Sequence, residues 1–423
     1  MTQTPGKPSV LKSLGFQMSL LTAMQALLLV NNVTLNAVSG LAGFFLAEQK
    51  WLATLPVTGY VLGGAVWAMP AAAFMRRFGR RHGYTVASLG AMFGGFLGWM
   101  AMNTGSMTLL CLATFVAGIY RAFGASLRFA AVDVAEAYKP SFKSRAISLV
   151  LTGGIVGGVV GPEMAVWSRS WLPAEFAGTY LSLIGFALIS MVLAQFIRLP
   201  ASIGKATSGP ARPLRVILKQ PVCWVAILCA ALGYGIMNLL MVATPLAMEA
   251  HHHAFSSTAW VLEWHIIGMF APGLITGSLI ARFGVLPIVF TGTLLMLTCV
   301  AVSLNGVDVM HFTVALIALG VGWNFMYTGG STMLTQSYAP GEKNRVQGFM
   351  DVCVFTTMMT TSASSGALIY ANGWNILNLI SLPFIVLTTL AVLWLAMKRG
   401  WQFGSASEPI GQQVGEPNGK PTV

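Results

Sequence analysis

The chain has 423 residues, of which 56% are hydrophobic and 9% are charged, and its formal net charge is +12. Soluble domains carry about 25% charged residues, so this composition excludes an ordinary soluble enzyme and indicates an integral membrane protein. In a soluble chain the positive charge would suggest a nucleic-acid partner. Here most lysines and arginines fall in short loops, and membrane topology explains them better than nucleic acid does.

The apolar runs are about 20 residues long, which is the length that a helix needs to cross a bilayer. Membrane β-barrels show alternating stretches of about ten residues instead, so we predict an all-α integral membrane protein with twelve transmembrane helices. The predicted spans, numbered one to twelve in chain order, are 16–38, 52–75, 84–103, 107–131, 146–168, 176–197, 221–243, 258–281, 285–304, 311–334, 346–369 and 374–397.

The longest interior break, 198–220, contains three prolines and two glycines and separates six spans from six. We expect the two sets to form pseudo-symmetric six-helix bundles. The predicted domains are a cytoplasmic tail (1–15), an N-terminal bundle (16–197), a cytoplasmic linker (198–220), a C-terminal bundle (221–397) and a disordered cytoplasmic tail (398–423).

The loop between spans two and three, 76–81, holds four arginines in six residues. Lysine and arginine resist translocation, so this loop is expected on the cytoplasmic side of a cell inner membrane. Both termini are then cytoplasmic, and Lys50 and Arg169 are the only loop cations left on the outer side. The Arg-Phe-Gly sequence at 77–79 recurs at 282–284, 205 residues later, which indicates two copies of one unit.

The two halves also share a Lys-x-Arg sequence before spans five and eleven, at 143–145 and 343–345. Gly118 of span four and Gly320 of span ten are a second matching pair. Internal repeats of this kind put the substrate site near the middle of the membrane, between the halves. Transport then follows from rocking one half against the other.

At the basic loop the chain resembles the major facilitator superfamily, and the resemblance extends over almost its whole length. That family carries a Gly-x-x-x-Asp-Arg-x-Gly-Arg-Arg loop between spans two and three. The matching residues are Arg77, Gly79, Arg80 and Arg81. Ala72 and Arg76 stand where the family has its glycine and its aspartate. The resemblance implies a twelve-helix secondary active transporter for a small molecule, and not an enzyme.

The resemblance also implies a cytoplasmic gate built from charged residues. In the family, the loop aspartate latches onto the start of span eleven, which Arg76 cannot do in the same way. We therefore expect Asp351, near the start of span eleven, to receive Arg76 or Arg77.

A second acid of the family lies near the cytoplasmic end of span four and receives the second arginine of the loop. Here Asp133 or Glu136 is expected to receive Arg80 or Arg81, and Arg128 can pair with either acid. These two acids are predicted as gate residues first and as proton carriers second. The complete predicted gate is Arg76, Arg77, Arg80, Arg81, Arg128, Asp133, Glu136 and Asp351.

Span five carries five glycines at helical spacing, followed by a proline. They are Gly153, Gly154, Gly157, Gly158, Gly161 and Pro162. The stretch looks like the Gly-x-x-x-Gly-Pro element that the superfamily's exporters place in this span, although Ala165 and Val166 replace the usual Gly-Gly. Glycines so spaced also let helices approach closely, and a proline permits a bend. A proton-coupled exporter of drugs or metabolites therefore stays open as an alternative function.

Three stretches look similar to a subgroup of bacterial transporters that includes a riboflavin importer. They are 128–133, 260–265 and 322–325. The first functional hypothesis is therefore uptake of a small polar or heteroaromatic solute, vitamin-like, such as riboflavin. A third hypothesis, a non-transporting membrane sensor or scaffold, would need an added soluble domain, which the sequence does not indicate.

Polar and aromatic side chains inside the spans are the candidates for substrate binding. Gln25, Asn32 and Asn36 share one face of span one, since their offsets are seven and eleven residues. They hydrogen-bond either a neighbouring helix or a neutral polar substrate, and both interpretations stay open. Arg121 lies deep in span four, where an arginine is costly and rarely idle. The set is completed by Tyr60, Asn238, Trp323, Asn324 and Tyr327, whose aromatic members suit a flat heteroaromatic ligand.

Three titratable residues in spans five and eight are candidates for proton coupling. Glu163 lies in the outer half of span five, and Glu263 and His265 lie in the outer half of span eight. In the superfamily these spans face each other across the halves, and histidines and carboxylates can exchange protons. Positions 263 and 265 point in different directions on a helix, so they cannot both face span five. The alternative is a structural hydrogen bond or an interfacial charge.

The sequence does not indicate a metal site or a cofactor. The five cysteines are scattered through the apolar runs, and three consecutive histidines at 251–253 do not match the spacing of a structural zinc site. No Gly-rich nucleotide-binding loop with a lysine occurs, so ATP-driven pumping is not indicated. The expected partners are a small-molecule substrate, protons as the coupling ion and the lipid bilayer, with the protein acting as a monomer.

Overall fold

The computed structural model describes residues 13–139, 143–198 and 212–400. These residues are almost entirely helical, and no β-strand occurs among them. The N-terminal tail up to residue 12, the centre of the linker (199–211) and the C-terminal tail from residue 401 lie outside the described residues. The predictions made for those segments therefore stay predictions.

Each of the twelve predicted spans is a helix or a pair of helices. Spans one to six are Leu14–Leu46, Leu55–Phe78, Arg80–Thr104, Met107–Gly124 with Leu127–Tyr138, Lys143–Ser168 and Ala177–Ala194. Spans seven to ten are Pro221–Ala250, Phe255–Phe270 with Gly273–Phe283, Val285–Asn305 and Val309–Thr335. Spans eleven and twelve are the two arms of Lys343–Arg399, and short helices in the connections are Lys50–Leu52, Leu214–Ile217 and Pro340–Glu342.

By length and hydropathy, nine helices among the described residues can cross a membrane, and the bent pair of span eight makes ten. One of the nine, Arg345–Arg399, has 55 residues, which is enough for two spans, and span five adds a helix of 26 residues. The predicted fold of twelve transmembrane helices is therefore confirmed. Spans one and seven continue past their predicted ends at 38 and 243, because Gly40 and Pro245 lie within packed helices instead of ending them.

Among the described residues three helices are interrupted, and each interruption has a local cause. Gly373 has a φ of 73°, a left-handed conformation that favours glycine, and it turns the chain from span eleven into span twelve. Span eight bends by 40° next to Pro272, which lacks the N–H that would continue the helix. Span four breaks after Gly124, where the Ser126 hydroxyl donates a hydrogen bond to the Phe123 carbonyl oxygen at 2.7 Å.

The helices pack as two bundles with the same internal pairing. In the first half, span one packs on span five, span two on span four, and span three on span four. In the second half the equivalent pairs are seven with eleven, eight with ten, and nine with ten. Between the halves, span five contacts span eight, span one contacts span seven, and span two contacts span eleven. The repeated pairing is the pseudo-symmetry that the sequence predicts.

The glycines of span five let three helices come close together. A Cβ atom added at Gly161 would lie 2.9 Å from the Cβ atom of Val33 in span one. A Cβ atom added at Gly158 would lie 3.1 Å from the Cβ atom of Ile266 in span eight, which belongs to the other half. The glycine pattern thus serves packing on two faces, and this packing suits an importer and an exporter equally.

Candidate functional site

A cavity of about 250 Å³ lies between the two halves, near the middle of the spans. A second compartment of about 200 Å³ adjoins it and shares with it Arg121, Arg128, Tyr234, Tyr327 and Met358. The first half contributes amide and guanidinium groups to the walls, and the second half contributes mainly aromatic and methionine side chains. The predicted residues that line the larger compartment are Asn32, Asn36, Arg121, Arg128, Asn238, Trp323 and Tyr327.

The cavity opens towards the end of the molecule that carries the basic loop 76–81, here called the basic end. Ala125, Arg128 and Asp351 line the second compartment on that side, and all three are exposed. At the opposite end the halves touch, since the Gly366 N–H donates a hydrogen bond to the Thr54 hydroxyl at 3.1 Å. The described residues thus enclose a cavity that is open at the basic end and closed at the other.

Aromatic rings complete the closure at the opposite end. The ring centroids of Phe176, which precedes span six, and Phe255, in span eight, are 5.7 Å apart. The Arg169 guanidinium lies over both rings, at 5.0 and 4.9 Å from their centroids. Both rings belong to an apolar cluster that also holds Leu35 and Leu246 and so joins the two halves.

Span one presents two amides to the cavity as a linked pair. The Asn36 Nδ2 group donates to the Asn32 Oδ1 atom at 2.7 Å and to the Asn32 carbonyl oxygen at 2.9 Å. Both side chains are half-buried, and within the described part of the chain no other hydrogen bond involves the Asn32 Nδ2 group or the Asn36 Oδ1 atom. One donor and one acceptor therefore remain available on this wall. Gln25, two turns earlier, lines only the second compartment.

Arg121 faces both compartments from span four and is half-buried. Its guanidinium carbon lies 5.6 Å from the centroid of the buried Tyr60 ring and 6.0 Å from that of Phe355. Its Nη2 atom lies 3.8 Å from the Met358 sulfur. No acid pairs with Arg121 among the residues that the structure describes. A partly desolvated cation without a counter-charge is costly, so this group suits a ligand rich in acceptor atoms.

Arg128 and Asp351 line the second compartment from opposite halves, and their charges interact. Arg128 also lies close to the Tyr327 hydroxyl. The sequence predicts that Asp351 receives Arg76 or Arg77, but in the described structure both arginines are exposed and form no ion pair. With the basic end open, Asp351 lines the same compartment as Arg128, and the two side chains form no close ion pair in the described residues.

The basic loop is fixed within the first half. Arg80 pairs with Asp133 at 2.5 Å and donates to a backbone carbonyl oxygen at the break of span four at 3.0 Å. Arg81 donates to the Gln195 Oε1 atom from Nε and Nη2, at 3.2 and 3.0 Å. Glu136, one turn beyond Asp133, is exposed. These contacts tie spans three, four and six into one rigid end of the first bundle.

Four rings of the second half form a continuous aromatic wall. Trp323 and Tyr327 stack with centroids 5.4 Å apart and planes 6° apart, and Tyr234 stands edge-on to them at 5.2 and 5.4 Å. Phe270 adds an edge contact to Trp323 at 6.3 Å. The Trp323 Nε1 group is buried without a hydrogen-bond partner in the described ranges, so this indole donor is unsatisfied.

Sequence reasoning missed several lining residues of the second half, among them Tyr234, Met237, Met241 and Phe270. Tyr234 lies one helical turn before the predicted Asn238, so helical spacing was a signal that could have found it. Met237 and Met241 lie 205 residues after Asn32 and Asn36, so the internal repeat was a signal for them. Phe270 carries no signal, since apolar side chains are expected all around a membrane span.

Two predicted amides of the second half are engaged in packing. Asn238 lines the cavity, but its Nδ2 group donates to a carbonyl and a hydroxyl oxygen of span eleven, each at 3.1 Å. Asn324 is not among the residues that line either compartment. Its Nδ2 group donates to the Met269 carbonyl oxygen at 2.8 Å, and its Oδ1 atom accepts from the Thr276 hydroxyl at 2.7 Å. These bonds bridge the bend of span eight, where Pro272 interrupts the backbone hydrogen bonds of the helix.

The structure separates the three proton-coupling candidates. Glu163 is exposed, and Glu263 is half-buried and close enough for the two charges to interact across spans five and eight. Neither is among the residues that line the two compartments. His265 instead points into the second bundle, where its Nδ1–H donates to the Leu316 carbonyl oxygen at 2.7 Å. Its Nε2 atom is buried and has no partner among the described residues, so the histidine is not part of the carboxyl pair.

Comparison with known proteins assigns this architecture to a family. Residues 16–271 and 227–409 match the sequence model of the Major Facilitator Superfamily. The chain belongs to the major facilitator superfamily. A curated relative, the riboflavin transporter RfnT of Brucella anthropi, is 35% identical over 384 residues, which are 90% of this chain and 96% of that protein. The chain is therefore a multi-pass membrane transporter for a small molecule, and not an enzyme.

Solved structures share the superfamily fold at low sequence identity. A bacterial homolog of the human lysosomal transporter Spinster, in an inward-facing and occupied conformation, gives a TM-score of 0.66 at 16% identity. The match covers 91% of this chain and 97% of that one. A D-xylose–proton symporter gives a TM-score of 0.69 at 12% identity, with 92% and 98% covered. At these identities the likeness concerns the fold alone.

Proposed function

We propose that this superfamily member takes up a flavin, with riboflavin as the substrate, across the cell inner membrane by alternating access. The observation that carries the proposal is the central cavity, in which a wall of stacked rings faces amides and a guanidinium. The 35% identity to a riboflavin transporter supports the choice of substrate. A single chain supplies both walls, so we expect the monomer to be sufficient.

The ring system of a flavin suits both walls. It is a flat tricycle, which can stack on Trp323 and Tyr327 with a gain of about 0.5–1.5 kcal/mol per ring pair beyond the burial of area. Its imide edge carries an N–H group between two carbonyl groups. The free Asn36 Oδ1 atom can accept from such an N–H, and the free Asn32 Nδ2 group can donate to a neighbouring carbonyl. Arg121 can then donate to a further acceptor on the ring.

The proposed topology has the basic end and both termini in the cytoplasm, since basic loops resist translocation. The described conformation is then inward-facing. We propose that the outward-facing state forms when the halves tilt at the contact of spans five and eight. That motion breaks the hydrogen bond between Thr54 and Gly366 and brings Asp351 to Arg76 or Arg77 on the basic loop.

For energy coupling, we propose that Glu163 and Glu263 share a proton at the contact of spans five and eight. Two neighbouring carboxylates repel each other when both are ionised, and one proton removes that repulsion. In proteoliposomes, Glu163→Gln and Glu263→Gln are expected to lose uptake driven by an imposed proton gradient, while Glu48→Gln, an exposed control, keeps it. Gradient-driven uptake that persists in both variants would contradict the coupling role.

Growth rescue tests the substrate and the direction together. A riboflavin-auxotrophic strain that expresses this gene is expected to grow on low external riboflavin, and the purified protein is expected to gain thermal stability from riboflavin. The Arg121→Gln variant is the negative control for both measurements. Absence of rescue together with a lowered intracellular flavin content would instead support the alternative, an exporter.

A further inference from the structure

The second compartment shares Tyr234, Tyr327 and both arginines with the larger one, and it differs by the added side chains of Gln25 and Asp351. Gln25, Arg121 and Arg128 reach it from the first half, and Asp351 reaches it from the second. Guanidinium groups only donate hydrogen bonds, whereas an ionised carboxylate only accepts them. The compartment therefore offers donors and acceptors within one space of about 200 Å³, directly next to the aromatic wall.

We propose that this compartment binds a chain of hydroxyl groups attached to the ring system of the ligand, which in a flavin is the ribityl chain. This inference rests on the proposed function. A hydroxyl group donates and accepts, so hydroxyls along the chain can accept from Arg128 and donate to Asp351. A terminal phosphate would only accept, and its negative charge would meet the Asp351 carboxylate. Arg121 and Arg128 would attract such a phosphate, so Asp351 is the group that sets the preference for the polyol over its phosphate ester.

The polar residues of the second compartment come from both halves of the protein, which matters for transport. Arg128 and Gln25 belong to the first half and Asp351 to the second, and the compartment lies at the open, basic end. A hydroxylated chain bound by both halves links them across the opening. A ring without the chain makes no such link, so it binds but does not promote closure. Tail-less flavins are therefore inhibitors of uptake and not substrates.

The test is equilibrium binding to the purified full-length protein, followed by quenching of flavin fluorescence. The ligands are riboflavin, lumiflavin, which lacks the hydroxyl chain, and flavin mononucleotide, which carries a phosphate. The wild-type protein is expected to bind riboflavin most tightly. Asp351→Asn is expected to lower the affinity for riboflavin about tenfold and to change the affinity for lumiflavin less than about twofold. The same variant is expected to raise the affinity for the mononucleotide. Asp308→Asn is the matched control, an acid at the opposite end with 85% exposure.

A second variant, Gln25→Ala, changes no charge. It is expected to lower the affinity for riboflavin about threefold and to leave the affinity for lumiflavin unchanged. Melting temperatures show that each variant is folded. The inference would be overturned if folded Asp351→Asn changed the affinities for riboflavin and lumiflavin equally, or changed neither. The proposed function would still stand in that case. A wild-type protein that binds none of the three flavins would overturn both.

Discussion

The two walls of the cavity come from equivalent helices but present different chemistry. With the 205-residue offset of the two Arg-Phe-Gly sequences, Asn32 and Asn36 of span one correspond to Met237 and Met241 of span seven. All four side chains line the cavity. The internal repeat therefore determines which helix positions face the cavity, while each half uses those positions for its own kind of contact.

Spans four and ten show the same contrast. Arg121 stands three residues after Gly118, and Trp323 stands three residues after Gly320. The two glycines occupy matching places, since Gly118 packs against span two and Gly320 against span eight. A guanidinium in one half thus corresponds to an indole in the other. A ligand with a polar edge and a flat face needs both halves, so its binding energy can favour the state that brings them together.

The largest effect is expected at the polar wall. Arg121→Gln removes the unpaired charge while it keeps a polar side chain, and it is expected to weaken riboflavin binding about 10- to 100-fold, because a hydrogen bond to a charged group contributes about 1.5–3 kcal/mol. Binding to the purified protein and initial uptake rates measure the effect. Arg282→Gln, in the exposed last turn of span eight, is the matched control. Unchanged affinity in Arg121→Gln would mean that the polar wall does not recognise the substrate.

A slightly smaller effect is expected at the aromatic wall. Trp323→Leu removes the stacked ring. It is expected to lower the affinity for riboflavin about tenfold and to reduce the quenching of riboflavin fluorescence. Tyr327→Phe keeps the ring and should change the affinity less than about twofold. Trp260→Leu, a ring that is 47% exposed in span eight, is the control. A larger loss in Tyr327→Phe than in Trp323→Leu would mean that the hydroxyl, and not stacking, dominates this wall.

The equivalent positions of spans one and seven give the sharpest comparison of the halves. Asn32→Ala and Asn36→Ala are each expected to lower the affinity for riboflavin about fivefold, because a neutral hydrogen bond contributes about 1 kcal/mol. The double variant should lose less riboflavin affinity than the product of the two single fold-losses, since Asn36 also holds Asn32 in place. Met237→Ala is expected to change the affinity less than about twofold. A loss in Met237→Ala as large as in the asparagine variants would remove the distinction between the walls.

The fold was predictable because the apolar runs have bilayer length and because charged sequences repeat 200 to 205 residues apart. Polar groups of the first wall were also predictable, since an amide or arginine inside a span is costly and must have a partner. Asn32, Asn36 and Arg121 all line the cavity. The aromatic wall was only partly found, because Phe270 looks like any other apolar residue of a span.

Partner choice was the part that the sequence could not determine. Asp351 lines a compartment with Arg128 and forms no ion pair with Arg76 or Arg77 among the described residues, and a sequence pattern does not specify the conformation that decides this. Asn324 serves the bend of span eight because Pro272 interrupts the helix there, and helical spacing alone does not show that need. Both differences arise from local backbone geometry or global conformation rather than from residue type.

The smallest effect on transport is expected at a charge pair that touches neither wall. Arg212, which belongs to the linker, donates to the Glu342 carboxylate from its backbone N–H, Nε and Nη2 groups, each at 2.8 Å. Glu342 lies between spans ten and eleven and is 2% exposed. The Arg212 side-chain hydrogen bonds are the main cause that lowers the pKa of Glu342 from 4.5 to about 2, and the same pair raises the pKa of Arg212.

Because the pKa of Glu342 is lower in the folded protein than in the unfolded chain, the ionised carboxylate stabilises the fold above about pH 4.5, and this stabilisation is lost as the pH falls towards 2. Glu342→Gln is expected to cost about 1 kcal/mol at pH 7, after allowance for the half-exposed Arg212, which lowers the melting temperature by about 2–4 °C. The difference from the wild type should shrink below about pH 4.5, while riboflavin affinity at pH 7 stays within about twofold. A difference in melting temperature that is the same at pH 3 and pH 7 would mean that hydrogen-bond geometry, and not charge, holds the linker against span eleven.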